Sequence, residues 1–151
     1  MSGRFRFSLQ AVLEQRRQAE RRAQVVLAGV LAEQLALDGE LERLRRAVQA
    51  ERRRAVEMMQ GRVQPAVLRE LVAGELGADC KARALAVALA GVRRRAEQAR
   101  QALREAAVAR QAIESLREKR LGEWRQAQVR AELAELDDLS VMRRGLDASE
   151  G

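Results

Sequence analysis

Gly61-Arg62-Val63-Gln64-Pro65 is the stretch on which the fold turns. It places a glycine and the only proline of the chain between two long helix-forming patterns. Glycine suits the left-handed residue that closes a helix, and proline suits the first turn of the next one. The segment therefore reads as a turn over 61–65, with helix one covering about 5–60 and helix two about 66–144. Ser8 is placed to cap the first helix at Leu9, with Phe5 and Phe7 either preceding it or belonging to it. Gly145 is placed to end the second.

Outward from the turn, each arm carries an apolar stripe at alternating three- and four-residue steps. The first runs Leu9, Leu13, Arg16, Glu20, Ala23, Leu27, Val30, Gln34, Leu37, Leu41, Leu44, Val48, Glu51, Ala55, Met58, with 11 of 15 positions apolar. The second runs Ala78, Ala82, Leu85, Leu89, Val92, Ala96, Ala99, Leu103, Ala106, Arg110, Ile113, with 10 of 11 apolar. A mean spacing of about 3.5 keeps one edge of a helix against a partner, which is the seam of a coiled coil. Folding about the turn pairs residues whose numbers sum to about 127. Leu41 then faces Leu85, Leu37 faces Leu89, and Val30 and Leu27 face Ala96 and Ala99, large against small. The expected fold is all-α: an antiparallel coiled-coil hairpin, a single unit over 1–151, its second helix the longer. At 1.5 Å per residue the helices would be about 80 and 120 Å long. The C-terminal part, with Trp124, Leu133, Leu136, Leu139, Val141 and Met142, would project past the shorter arm and await a partner. Gly74 and Gly77 mark an expected weak spot or local unwinding.

Composition agrees with thin helical packing. Only Phe5, Phe7 and Trp124 are aromatic, so bulky core material is scarce. The net charge is +7, yet 27 of the 29 basic residues are arginine and acids are interspersed among them. That arrangement reads as solvated faces with pairs along the helix rather than a nucleic-acid groove. The basic excess is densest near Arg4, Arg6, Arg16, Arg17, Arg21 and Arg22, where it could steer an acidic protein or an anionic membrane surface. Histidine is absent, which removes the commonest general base and metal ligand. Gly74 and Gly77 lack the Lys-Ser/Thr of a phosphate loop, and Glu135, Asp137 and Asp138 read as a solvated acidic face. Cys80 reads as a small residue near the seam, its lone thiol pointing to a reducing, cytoplasmic setting. No apolar run reaches the length of a membrane span. Neither an enzyme nor a bound cofactor is expected. Trp124 is open to two readings, a packed residue where the short arm ends or an interface anchor. Phe5 and Phe7 share that ambiguity.

The two ends carry a resemblance. Phe5-Arg6-Phe7-Ser8-Leu9-Gln10-Ala11-Val12-Leu13-Glu14-Gln15-Arg16 resembles the opening of flagellar FliJ proteins, F-x-F-x-L-Q-x-hydrophobic-L-x-x-R. Leu116 to Trp124, followed by Glu132-Leu133-Ala134-Glu135-Leu136-Asp137-Asp138-Leu139 and Arg143-Arg144, resembles that family's tail. The resemblance implies a non-enzymatic component of flagellar type III protein export. It implies an antiparallel coiled coil that acts as central stalk of the ring formed by the export ATPase FliI, contacts the cytoplasmic domain of the gate FlhA, and escorts export chaperones. It places the protein in the cytoplasm, peripheral to the inner-membrane apparatus, and a monomer when free. Carried onto this chain, it assigns Phe5, Phe7, Arg16, Arg17, Trp124 and Leu136 to the ATPase, and Leu68, Val72 and Leu76 to the gate. The family's aromatic residues are missing from that second set. Injectisome stalk proteins of the SctO/YscO group share the architecture and form the alternative. A basic coiled coil for nucleic acid is a more distant one.

Overall fold

The computed structural model describes residues 4–149, with side chains described over 4–144. Two helices make up nearly all of it: α1, Gln10–Met59, and α2, Pro65–Ser149. They pack against each other, α2 is the longer, and no strand occurs among the described residues. Pro65 opens α2, with the Gln64 carbonyl accepting the Leu68 N–H at 3.1 Å. Proline fits there because its missing N–H has no intrahelical acceptor in the first turn. Gly61 lies at φ 80°, the left-handed conformation that ends α1. A Cβ would strain that turn.

The start of α1 differs from expectation. Leu9, not Ser8, supplies the carbonyl for the first helical bond, from the Leu13 N–H at 2.9 Å. Residues 4–7 are outside the helix, and exposure alternates strictly from Arg4 to Gln10: Phe5, Phe7 and Leu9 are half-buried, their neighbours exposed. Residues 4–7 form a strap that a turn joins to the helix, the Phe7 carbonyl accepting the Gln10 N–H at 3.1 Å, so Phe5 and Phe7 precede α1. At the other end, α2 continues through Gly145 to Ser149. Gly74 and Gly77 are likewise helical, without unwinding.

The described chain divides into two compact units. One, Arg21–Glu105, holds the turn and the antiparallel arms beside it. Its core is Ala55, Leu89, Val92, Ala96 and Ala99, with Val92 1% and Ala96 0% exposed. Burying a Leu or Val side chain fully stabilises by about 1.5–3 kcal/mol, so this narrow stripe holds the arms together. Ala23, Leu27, Val30, Leu37, Leu41, Leu44 and Val48 form the half-buried edge contributed by α1. Cross-arm ion pairs flank the seam: Arg95 grips Glu33 through both guanidinium nitrogens at 2.9 and 2.7 Å, Arg93 lies 3.8 Å from Asp38, and Arg52 pairs with Glu75. Met58 and Glu51, placed on the stripe by spacing, are exposed. Cys80 is also exposed: it sits two residues from seam positions Ala78 and Ala82, which turns it about 200° away.

The other unit comprises residues 1–20 with 106–151. Leu13 is fully buried, and Leu9, Val12, Ile113 and Leu116 are half-buried. Here the seam passes through Arg17 rather than Arg16, which is exposed.

Candidate functional site

No cluster of three or more metal-ligating side chains occurs among the described residues. Two partly exposed apolar surfaces stand out. The first lies in the unit containing residues 1–20 and 106–151. The strap lays the Phe5 ring against Trp124, centroids 5.9 Å apart and planes tilted by 57°. A tilted aromatic pair sets ring edge against ring face and carries about 0.5–1.5 kcal/mol beyond its area. Both residues remain half-buried, as does Phe7, so part of each ring stays available to a partner. Trp124 therefore packs against the strap, the first of its two sequence readings, while part of its ring stays exposed.

Beside the aromatic pair, the same unit replaces apolar seam residues with charge. Arg17 donates from Nε and Nη2 to Glu114 Oε1 at 3.2 and 2.9 Å. Arg110 pairs with both Glu20 and Glu114. The Arg17 hydrogen bond, reinforced by Arg110, holds the Glu114 carboxyl below its ordinary range against the opposing effect of burial. Glu20 first, and then Glu114, push the Arg110 guanidinium upward. This four-residue cluster fixes Arg17 in place. Arg16, one residue away, stays exposed, with no ion pair among the described residues. Half-buried Arg117 keeps its Nε shielded from water without a hydrogen-bond acceptor, a donor that sequence reading missed. Nothing in the apolar spacing signals such a donor.

Further along α2 in the same unit, Leu136 is 62% exposed, in a row with Val129, Leu133 and Leu139. Their steps of four, three and three set them on one face of the helix. The structure thus groups Phe5 with Trp124 directly and leaves Leu136 on a separate open face.

The second surface lies in the unit spanning 21–105. Leu68, Val72 and Leu76, at steps of four, are exposed. Val72 and Leu76 line an open groove with Leu41, Leu44 and Val48, whereas Leu68 is outside its lining. A neighbouring groove of about 560 Å³ is formed by Ala55, Met58, Val67, Leu71, Gly74 and Gly77. The two glycines have open space where a Cβ would stand. Those residues were legible only as a helix flaw, because apolar side chains just off the seam carry no distinct period.

The family model for the flagellar FliJ protein matches residues 5–146, beginning at the aromatic strap and running past the acidic segment of α2. The chain belongs to the flagellar FliJ protein family. Comparison with curated proteins and with solved structures gives no match. FliJ proteins are non-catalytic components associated with flagellar protein export, and membership places this chain's partners in that apparatus. No described helix is long and apolar enough to cross a membrane.

Proposed function

We propose that this FliJ-family chain is the central stalk of the flagellar export ATPase ring. In this reading the unit of residues 1–20 and 106–151 enters the ring. Phe5, Phe7 and Trp124 anchor it, Arg16 offers free charge, Arg17 is held ready by Glu114, and Leu136 extends the contact along α2. The Phe5–Trp124 pair is the observation that carries the proposal. It joins the opening and closing family motifs, more than a hundred residues apart in the chain, into one presented aromatic surface. Large rigid aromatics flanked by arginine are the composition of interface hot spots.

The grooved surface with Leu68, Val72 and Leu76 is assigned to the gate FlhA, which makes the molecule a link between ATPase and gate. Escort of export chaperones follows from the same family role, as does peripheral attachment to the membrane apparatus from the cytoplasmic side. Adding the chain to its cognate export ATPase should raise ATP hydrolysis and increase the fraction of assembled rings in electron micrographs. No stimulation and no binding at low salt would overturn the stalk assignment.

A further inference from the structure

The back of α1 in the unit spanning 21–105 carries a second row with the spacing of a seam: Arg21, Val25, Ala28, Ala32, Leu35, Gly39, Glu42. Steps of four and three alternate along it, so the row occupies one face of the helix. Every member is exposed, Val25 by 71% and Leu35 by 75%. Between Ala23 and Leu37 the only charged residue is Glu33, already bound to Arg95. A surface helix apolar on both its inner and outer faces is built to be covered twice.

We propose that the occupant of this face is a second copy of the chain, docked antiparallel about a two-fold axis through Ala32. Two features of the row single out this partner. The first is size. Superposing the row on its own reverse sets Ala32 against Ala32, Ala28 against Leu35, and Val25 against Gly39, so every large side chain meets a small one. Gly39, like the other described helical glycines, has open space where a Cβ would stand, and on this row that space is where the partner's Val25 fits. The second is charge. The same superposition brings Arg21 of each copy to Glu42 of the other, an exposed carboxylate that also accepts Arg46 through Oε1 at 2.9 Å, so opposite signs meet at both ends of the interface. A parallel pairing would set arginine on arginine and glutamate on glutamate. The interface is isologous, as a two-fold dimer demands.

The row spans about six helical turns, of which only about four are apolar, which makes the association weak and reversible, in the range of about 10 µM to 1 mM. The monomer and the dimer then coexist, the dimer covering the apolar back of α1 as concentration rises.

The test is self-crosslinking with sedimentation. In a Cys80→Ser background, Ala32→Cys places one thiol on the axis and Glu40→Cys places one off the row, both at exposed positions. Ala32→Cys should form the disulfide-linked dimer about tenfold faster than Glu40→Cys, because only the first pair is held together. In sedimentation equilibrium Arg21→Glu should raise the dimer dissociation constant about fivefold, and Arg21→Glu/Glu42→Arg should restore it. Leu35→Asp should leave circular dichroism at low concentration unchanged and remove the dimer. Equal crosslinking at the two sites, a single monomer mass up to 1 mM, or a dimer indifferent to Arg21→Glu and Leu35→Asp would each overturn the proposal.

Discussion

The two units solve helix pairing in different ways. In residues 21–105 the seam is narrow and apolar, its centre at Leu89, Val92, Ala96 and Ala99 closed to water. In residues 1–20 with 106–151, one fully buried leucine, Leu13, is followed by Arg17, Glu20, Arg110 and Glu114 where apolar residues would pack more tightly. The aromatic strap then closes the pairing. The contrast separates two jobs: apolar burial supplies adhesion without direction, while paired charges resist a shifted register because sliding would strand them.

The largest effect should come from breaking the apolar seam. Ala96→Asp puts an unpaired charge where no surface is open and should cost roughly 3 kcal/mol or more. Leu13→Ala, the matching lesion in the other unit, should cost about 2–5 kcal/mol. Thermal melts followed by circular dichroism measure both, and a negligible loss for Ala96→Asp would show that the seam is not the source of adhesion.

The charged layer should behave differently. Glu20→Leu alone leaves Arg110 short of a partner and should lower the melting temperature. Replacing the whole cluster by apolar residues should recover or exceed wild-type stability. If the apolar replacement were no more stable than the single variant, the cluster would be adhesive rather than register-setting.

Acid should weaken both this layer and the Arg95–Glu33 pair beside the apolar seam. Glu114 and Glu33 have carboxyl groups lowered by Arg17 and Arg95 respectively. Their stabilisation is therefore complete above the ordinary carboxylate range and lost as pH falls through the lowered value. Stability should decline below about pH 4.5, and Glu114→Gln should flatten part of that decline. An unchanged acid slope in Glu114→Gln would remove Arg17 and Arg110 as its cause.

The smallest stability effect should come from Trp124→Ala. It removes one half-buried ring, and the helices should persist with far-ultraviolet circular dichroism nearly unchanged.

Much of this was legible in the chain. All eleven positions of the second stripe, Ala78 to Ile113, are buried or half-buried, because a 3.5-residue period leaves little freedom about which edge faces the partner. The first stripe fails at Arg16, Glu51 and Met58, where polar residues or the nearby turn loosen the pattern. Arg17 takes the seam because Glu114 is there to receive it, a choice made by the partner helix and invisible in the local period. The approximate bound of 5–60 took in the strap, and of the two placements left open for Phe5 and Phe7 the structure has the one that precedes the helix. The aromatic residues proposed for the site stood out by type, but the Phe5–Trp124 contact joins segments more than a hundred residues apart, which no local period shows.

The most direct test titrates the cognate export ATPase with Trp124→Ala and, separately, with Leu76→Ala. If the aromatic unit enters the ring, Trp124→Ala should weaken binding by about tenfold or more while Leu76→Ala, on the grooved surface, binds as the wild type does. Full affinity in Trp124→Ala, or the loss appearing in Leu76→Ala instead, would contradict the assignment.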